Sequence, residues 1–529
     1  MNVSYDEVQM LSELTRAYLR GDESTRNWYA YSSNEANILS VIEQRKNQDP
    51  VNREALVATL SSQYSEIDSK NVNANIKALA NSNTYTITTG HQLNLFTGPL
   101  YFIYKIVSAI KTAKQLNKTY PNYHFVPVYW MATEDHDFEE INHAFIDGKK
   151  IEWNNPQKGM VGEFSTNEMQ AVVDEFCYSL GSSVRSSEIS KQIKEAYSNH
   201  SNLADATRFL VHTLFEKYGL VIIDANHTDL KRSFSEVLKK ELLEQTSFEK
   251  VTETITQFKN EYKAQVSPRE INLFYVKPGL RERIQLTEKG FEVNNTEINF
   301  SRNQMLEELN NYPERFSPNV ILRPVYQECI LPNVMYIGGG AEVAYWLELK
   351  STFDAFSIPY PLLQIRSSFL YLADKSYKKM ECLGLSELDL YQKKESIITR
   401  KTNDLNPYKE TLKSTNDNLQ TALNSLAKEL EAYEHTLLTS VDVSKKSAEK
   451  LMTRLQKKVT GAVKRKQKQE LDQINSLFSD VYPNGVYQER QVNFFEMNLQ
   501  YGDSFLDSIF ELTEPFTDSF LVFNHQGKA

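Results

Sequence analysis

The chain has 529 residues, which at about 100–200 residues per domain predicts two to four domains and a core large enough to fold without disulfides or structural metals. Hydrophobic residues make up 40% and charged residues 24%, and the low Gly and Pro counts (18 and 16) exclude a collagen-like or low-complexity chain. A net charge of −10 argues against a protein that binds nucleic acid over its whole surface.

The amino terminus, Met1 to Glu23, lacks the basic-then-apolar layout of a signal peptide. No apolar run approaches the roughly 18 residues of a membrane span. Three scattered cysteines, Cys177, Cys329 and Cys382, form no paired framework and point to the reducing cytoplasm. The first 80 residues read as helices with polar breaks. Tyr85 to Thr89 is a short β-rich run, followed by the loop Gly90 to Pro99 and a helix of regular apolar spacing from Pro99 through Ala113. A second strand, Phe125 to Met131, ends in Glu134-Asp135-His136-Asp137. Strand, glycine loop, helix, strand is one βαβ unit of a parallel sheet. Gly219–Asp224, Val334–Ile337 and Pro361–Ile365 extend it, with apparent insertions near 148–203 and 250–317. The second insertion carries strand-like runs at Asn272–Val276 and Arg283–Leu286.

After residue 395 the pattern changes. Leu412, Leu419, Leu423, Leu426, Leu430, Tyr433 and Leu437 make a heptad seam, Thr439 to Ser444 is expected to break it, and a second helical run follows from Ala448 to Phe478. Two long helices joined by a short turn predict an antiparallel hairpin over 396–482, between a core at 1–395 and a tail at 483–529 that packs on the core. The basic run Lys445–Glu470 reads as the solvated face of that coil rather than a nucleic-acid surface.

In open α/β sheets ligands bind outside the carboxyl ends of the strands, which selects three segments. In the first, Gly90, His91, Gln92, Thr97, Gly98 and Lys105 combine a flexible turn, side-chain donors and a cation, as nucleotide phosphates need; a tight βα turn would look the same. In the second, five carboxylates and two histidines fall within Glu134–His143. Glu134, Asp135, His136 and Asp137 suit an ammonium group, a Mg²⁺ ion or a general base; His136 with His143 is the alternative of a hydrolytic metal site. In the third, Arg323, Gln327, Glu342, Tyr345 and Trp346 surround Gly338-Gly339-Gly340, and Arg366 follows the last strand. A buried arginine needs a carboxylate or a phosphate, while Tyr345 and Trp346 also suit plain core packing.

Four stretches carry a resemblance across nearly the whole chain: TGHQLNLFTGPLYFIYKI (89–106), PVYWMATEDHDFEEINH (127–143), LRPVYQECILPNVMYIGGGAEVAYWLEL (322–349) and Gln488-Glu489-Arg490. On them the sequence resembles the BshC family, the cysteine ligases of bacillithiol biosynthesis. It departs at His91, where the family often has Gln, and at Gly338–Glu342, where it often has Gly-Gly-Pro-Gly-Glu. The resemblance implies a Rossmann-like parallel-sheet core similar to class I aminoacyl-tRNA synthetases, with inserted connecting pieces and an α-helical coiled-coil domain that makes a homodimer. It also implies that ATP, accompanied by Mg²⁺, activates a carboxylate so that cysteine is joined to glucosaminyl-malate. No H-x-G-H motif is present, and either AMP or ADP is compatible with the residues. A metal-dependent hydrolase and a non-catalytic, nucleotide-binding dimeric scaffold are the competing readings.

Overall fold

A computed structural model of the chain describes residues 2–8, 10–259, 261–404 and 406–524. They form two units: Met1–Tyr371 with Val486–Ala529, and Leu372–Gly485.

The first unit is built on five parallel strands: β1 (Thr84–His91), β2 (His124–Met131), β3 (Val221–Asp224), β4 (Asn333–Gly338) and β5 (Leu362–Ile365). Their spatial order is β5-β4-β1-β2-β3. Every residue of β1 and all but the first of β2 are buried, the signature of a parallel sheet covered on both faces. Helix α1 (Leu100–Thr119) makes the crossover from β1 to β2 and buries Ile103, Ile106, Val107 and Ile110. Helices α2 (Arg323–Ile330) and α3 (Gly340–Leu347) flank β4 in sequence. Ile38, Val41 and Ile42, from the amino-terminal helices, pack with Ile87, Met335 and Leu362 of the sheet.

The insertion near 148–203 is largely helical, with helices Gln170–Ser179 and Val184–Ser198 after a two-stranded hairpin. The insertion near 250–317 forms a five-stranded antiparallel sheet in which Leu273–Lys277 lies between Leu280–Thr287 and Phe316–Pro318. In the tail, strand Ser519–Phe523 pairs with Asn2–Ser4 and Ser368–Tyr371, so the chain's two ends share one small sheet.

The second unit is helical. Helix Lys409–Tyr433 packs antiparallel to Leu438–Lys466. The break between them falls at Glu434, which has an extended backbone, and not over Thr439–Ser444 as the polar residues suggested. Ser444 instead returns its hydroxyl to the Ser440 carbonyl at 2.9 Å, so the polar run continues the helix. This unit opens at Leu372, ahead of residue 395. Helix Asp374–Cys382 lies against Lys468–Val481, with Ser376 bonded to Asp480 and Lys379 reaching Ser476 at 2.9 Å. Among the described residues no helix is long and apolar enough to cross a membrane.

Candidate active site

A cleft of about 650 Å³ opens at the carboxyl ends of the strands. The ends of β1, β2 and β4 supply its floor, and the insertion sheet supplies a wall through Leu273, Phe274, Arg281 and Pro318. It brings together twelve residues marked in the sequence: Gly90, His91, Gln92, Lys105, Glu134, Asp135, His136, Asp137, Arg323, Glu342, Tyr345 and Arg366.

One side of the cleft is basic. Lys105 donates to the Gly90 carbonyl at 2.8 Å and forms an ion pair with Glu342. Burial pulls the Lys105 ammonium down, opposed by the Glu342 charge. Burial raises the Glu342 carboxyl, but Lys105, the Gly339 N–H and the Tyr336 hydroxyl outweigh it and hold the group below the ordinary range. Lys105 is thus a charge already partnered by the protein. Arg323 differs. It bonds only neutral groups, Gln327 Oε1 at 3.0 Å and the Tyr345 hydroxyl at 3.4 Å, and its guanidinium lies 5.6 Å from the Trp130 ring. Among the described residues no carboxylate is within ion-pair reach of it, so it offers its charge to the cleft.

Arg366 follows β5 and makes a bidentate pair with Glu489, at 2.9 and 2.6 Å. Its Nε is buried with no hydrogen-bond partner among the described residues and lies near Gly339, where even a Cβ would come within 3.9 Å. His91 presents a second buried atom without a hydrogen-bond partner among the described residues, Nε2. Burial, then the charges of Lys105 and Arg366, hold this imidazole neutral, stacked on Phe102. Gly90 permits the crowding: a Cβ there would stand 3.2 Å from the Tyr336 hydroxyl and 3.7 Å from Arg323. Arg490 lines the same side and is exposed.

The other side is acidic. Glu134 forms an ion pair with the fully buried Lys231 and accepts from Ser317 Oγ at 3.3 Å. Burial works against the Asp135 carboxylate, but contacts from His136 and Gln92 and the Arg281 charge outweigh it and keep it well below the usual range. Gln92 donates to both Asp135 (2.8 Å) and Glu140 (2.9 Å), bracing the acidic loop against the end of β1. Asp137 stands just before the short helix Phe138–Ile141 without a side-chain capping bond and is the most exposed carboxylate of the Glu134–Asp137 run, 59% accessible at the side chain. Ligand atoms of Asp135, His136 and Asp137 lie within 4.8 Å of one another.

Five expected residues do not line the cleft. Thr97 and Gly98 build the turn that starts α1: Phe96, Thr97 and Gly98 have positive φ in succession, and Asn493 donates to the carbonyls of Phe96 and Gly98 at 2.7 and 2.9 Å. A Cβ on Gly98 would meet Asn94 at 2.5 Å, so the glycine serves the turn and not a phosphate. Gln327 sits behind Arg323 and positions it. Trp346 stacks on Tyr336 in the core. His143 lies on the hairpin strand His143–Ile146, outside the cleft lining, with its ring on Asn142, so the paired-histidine metal site does not assemble there. The residue missed outright is Arg281, whose Nη1 donates to His136 Nδ1 at 2.6 Å. A signal existed: Arg281 and Arg283 alternate along one strand, and both line the cleft.

Comparison with known proteins bears on the fold and the family. The model described as "Bacillithiol biosynthesis BshC, N-terminal Rossmann-like domain" matches residues 1–367, and its "C-terminal coiled-coil domain" counterpart matches 369–525. A Flavobacterium johnsoniae protein named "Putative cysteine ligase BshC" is 45% identical over 522 residues, covering 98% of each chain. A protein of the same name from Flavobacterium psychrophilum is 41% identical over 528 residues, covering 99% of each. A solved chain titled "putative arginyl t-RNA synthetase" from Campylobacter jejuni shares 14% identity at a TM-score of 0.21, covering 80% of this chain and 99% of that one. With its Rossmann-like core, its helical coiled-coil unit and full-length relatives at this level of identity, the chain belongs to the BshC family of bacillithiol biosynthesis.

Proposed function

We propose that the chain is an ATP-dependent ligase that joins the carboxyl group of cysteine to the amino group of glucosaminyl-malate, giving bacillithiol. The observation that carries this reading is one cleft with two electrostatic halves. Arg323, Arg366 and Arg490 meet anionic groups on one side; Asp135, Asp137 and Glu140 meet an ammonium on the other. Joining an activated carboxylate to an amine needs both.

The residues present fit a phosphate-bearing substrate. Among the described residues Arg323 has no carboxylate within ion-pair reach, and Arg366 Nε and His91 Nε2 are buried without hydrogen-bond partners. In the activation step a cysteine carboxylate oxygen bonds to phosphorus while a phosphate oxygen leaves. Departure of pyrophosphate gives an adenylate and later AMP; departure of ADP gives an acyl phosphate. The arginines stabilise charge developing on the phosphoryl oxygens. The amine then attacks the acyl carbon, the C–N bond forms, the C–O bond to phosphate breaks, and the ammonium proton passes to a carboxylate of the acidic half. Asp135 and Asp137 are also the groups that would hold a Mg²⁺ accompanying the nucleotide. The scaffold reading has less support, because it gives the acidic half no task.

Mass spectrometry of purified protein with ATP, cysteine and glucosaminyl-malate tests the proposal. Bacillithiol with AMP supports the adenylate route, and bacillithiol with ADP the acyl phosphate. No product from folded protein refutes a self-sufficient ligase and favours the scaffold.

A further inference from the structure

The contact between Arg281 and His136 joins the antiparallel insertion to the acidic loop and decides what chemistry the histidine can do. Arg281 lies on Leu280–Thr287 and is nearly enclosed, 9% exposed. Its Nε donates to Ser317 Oγ at 3.2 Å, its Nη2 to the Pro318 carbonyl at 3.4 Å, and its guanidinium lies 3.9 Å from the centre of the Phe274 ring. Held from three sides, it directs Nη1 at His136 Nδ1, 2.6 Å away. An arginine has only donors and keeps its proton. At that distance Nδ1 must therefore be the acceptor, and the proton of a neutral ring is left on Nε2. The competing partner for a protonated Nδ1 is Asp135 Oδ1, but at 3.7 Å it is too distant for a hydrogen bond. The other face of the ring looks toward Asp137, whose Oδ1 is 4.0 Å from Nε2.

We infer that Arg281 is a positioning residue that fixes His136 as an Nε2–H donor facing the cleft, so that the histidine orients substrate. The inference rests on the cleft being the ligase site. The insertion thus contributes to the reaction: it sets the tautomer of a residue on a loop 145 positions away in the chain.

Nitrogen-15 NMR of full-length protein labelled at histidine reads the tautomer without any activity, with His136 identified by its loss in His136→Gln. The expected wild-type pattern is a protonated Nε2 and an unprotonated Nδ1. Arg281→Met should give a mixture of tautomers; if that variant fails to fold, Ser317→Ala, which loosens the arginine, should move the pattern the same way. A protonated Nδ1 in wild type, or an unchanged pattern in the folded Arg281 variant, overturns the inference. Turnover adds a second arm. Glutamine places an N–H near the Nε2 position but cannot take a proton, so His136→Gln should retain activity within about tenfold, while His136→Ala should lose about 10- to 100-fold, the range for a lost hydrogen bond to a charged group. Equal loss in both variants means the histidine is the base and the inference fails. Absence of bacillithiol even from wild type refutes the ligase reading, and the NMR result then decides the tautomer alone.

Discussion

Glu489→Gln isolates the charge that holds Arg366 in the cleft wall. Both side chains are nearly inaccessible, 5% exposed for Arg366 and 3% for Glu489, and they meet in two parallel hydrogen bonds. Glutamine preserves shape and one acceptor but leaves the guanidinium facing only Ser367 and Ser368 oxygens and a neutral amide. Removing one partner of a buried pair costs about 3–5 kcal/mol, because the remaining charge is desolvated and uncompensated. For the first unit, roughly 400 residues, the unfolding entropy near the midpoint is about 0.8 kcal/mol per kelvin, so Tm should fall by about 4–6 °C. Thermal unfolding followed by circular dichroism measures this. The double replacement Arg366→Met with Glu489→Leu should recover most of the loss, since a hydrophobic pair avoids the desolvation penalty, while abolishing ligation. A Glu489→Gln midpoint within about 1 °C of wild type would refute the argument, as would a double variant no more stable than the single one.

Arg323→Met should weaken nucleotide binding by about 10- to 100-fold in titration calorimetry, the loss of a hydrogen-bonded charge, with little change in Tm because no carboxylate is left behind. Glu348 is buried and accepts the N–H groups of Gln265 and Val266, and burial raises its carboxyl to about 7. A carboxyl raised from its unfolded value contributes its stability fully below about pH 4.5 and loses it as pH rises through about 7. The stability of Glu348→Gln relative to wild type should therefore improve between pH 4.5 and 8; a pH-independent difference in urea unfolding contradicts the shift. Leu419, Leu426 and Leu455 expose apolar surface on the hairpin, which is proposed to form the homodimer. Polar substitutions at Leu423 and Leu430, on the same heptad seam, should give monomers of 61.1 kDa in light scattering. A dimer that survives them places the interface elsewhere.

The parallel sheet and the helical hairpin were legible because their signals are local. Buried strands read as short apolar runs, helices repeat every three to four residues, and a glycine or polar cluster at each strand end marks the ligand side. Gly90, Asp135, Arg323 and Arg366 could be named in advance on that ground. The motifs at 89–106, 127–143 and 322–349 supplied the family. What sequence spacing does not carry is which donor meets which acceptor. Lys105 looks like a free cation along the chain, yet folding sets it against Glu342, 237 positions on. Thr97 and Gly98 look like a phosphate loop, but Asn493 draws their backbone into a turn. The break expected at Thr439 vanished because serine hydroxyls can be satisfied within a helix. Arg281 and Glu489 reach the site from an insertion and from the tail, and only tertiary packing brings them to His136 and Arg366. Periodicity and composition decide which surfaces must be buried; the pairing of buried charges is decided by three-dimensional proximity, where desolvation makes every unpaired group costly.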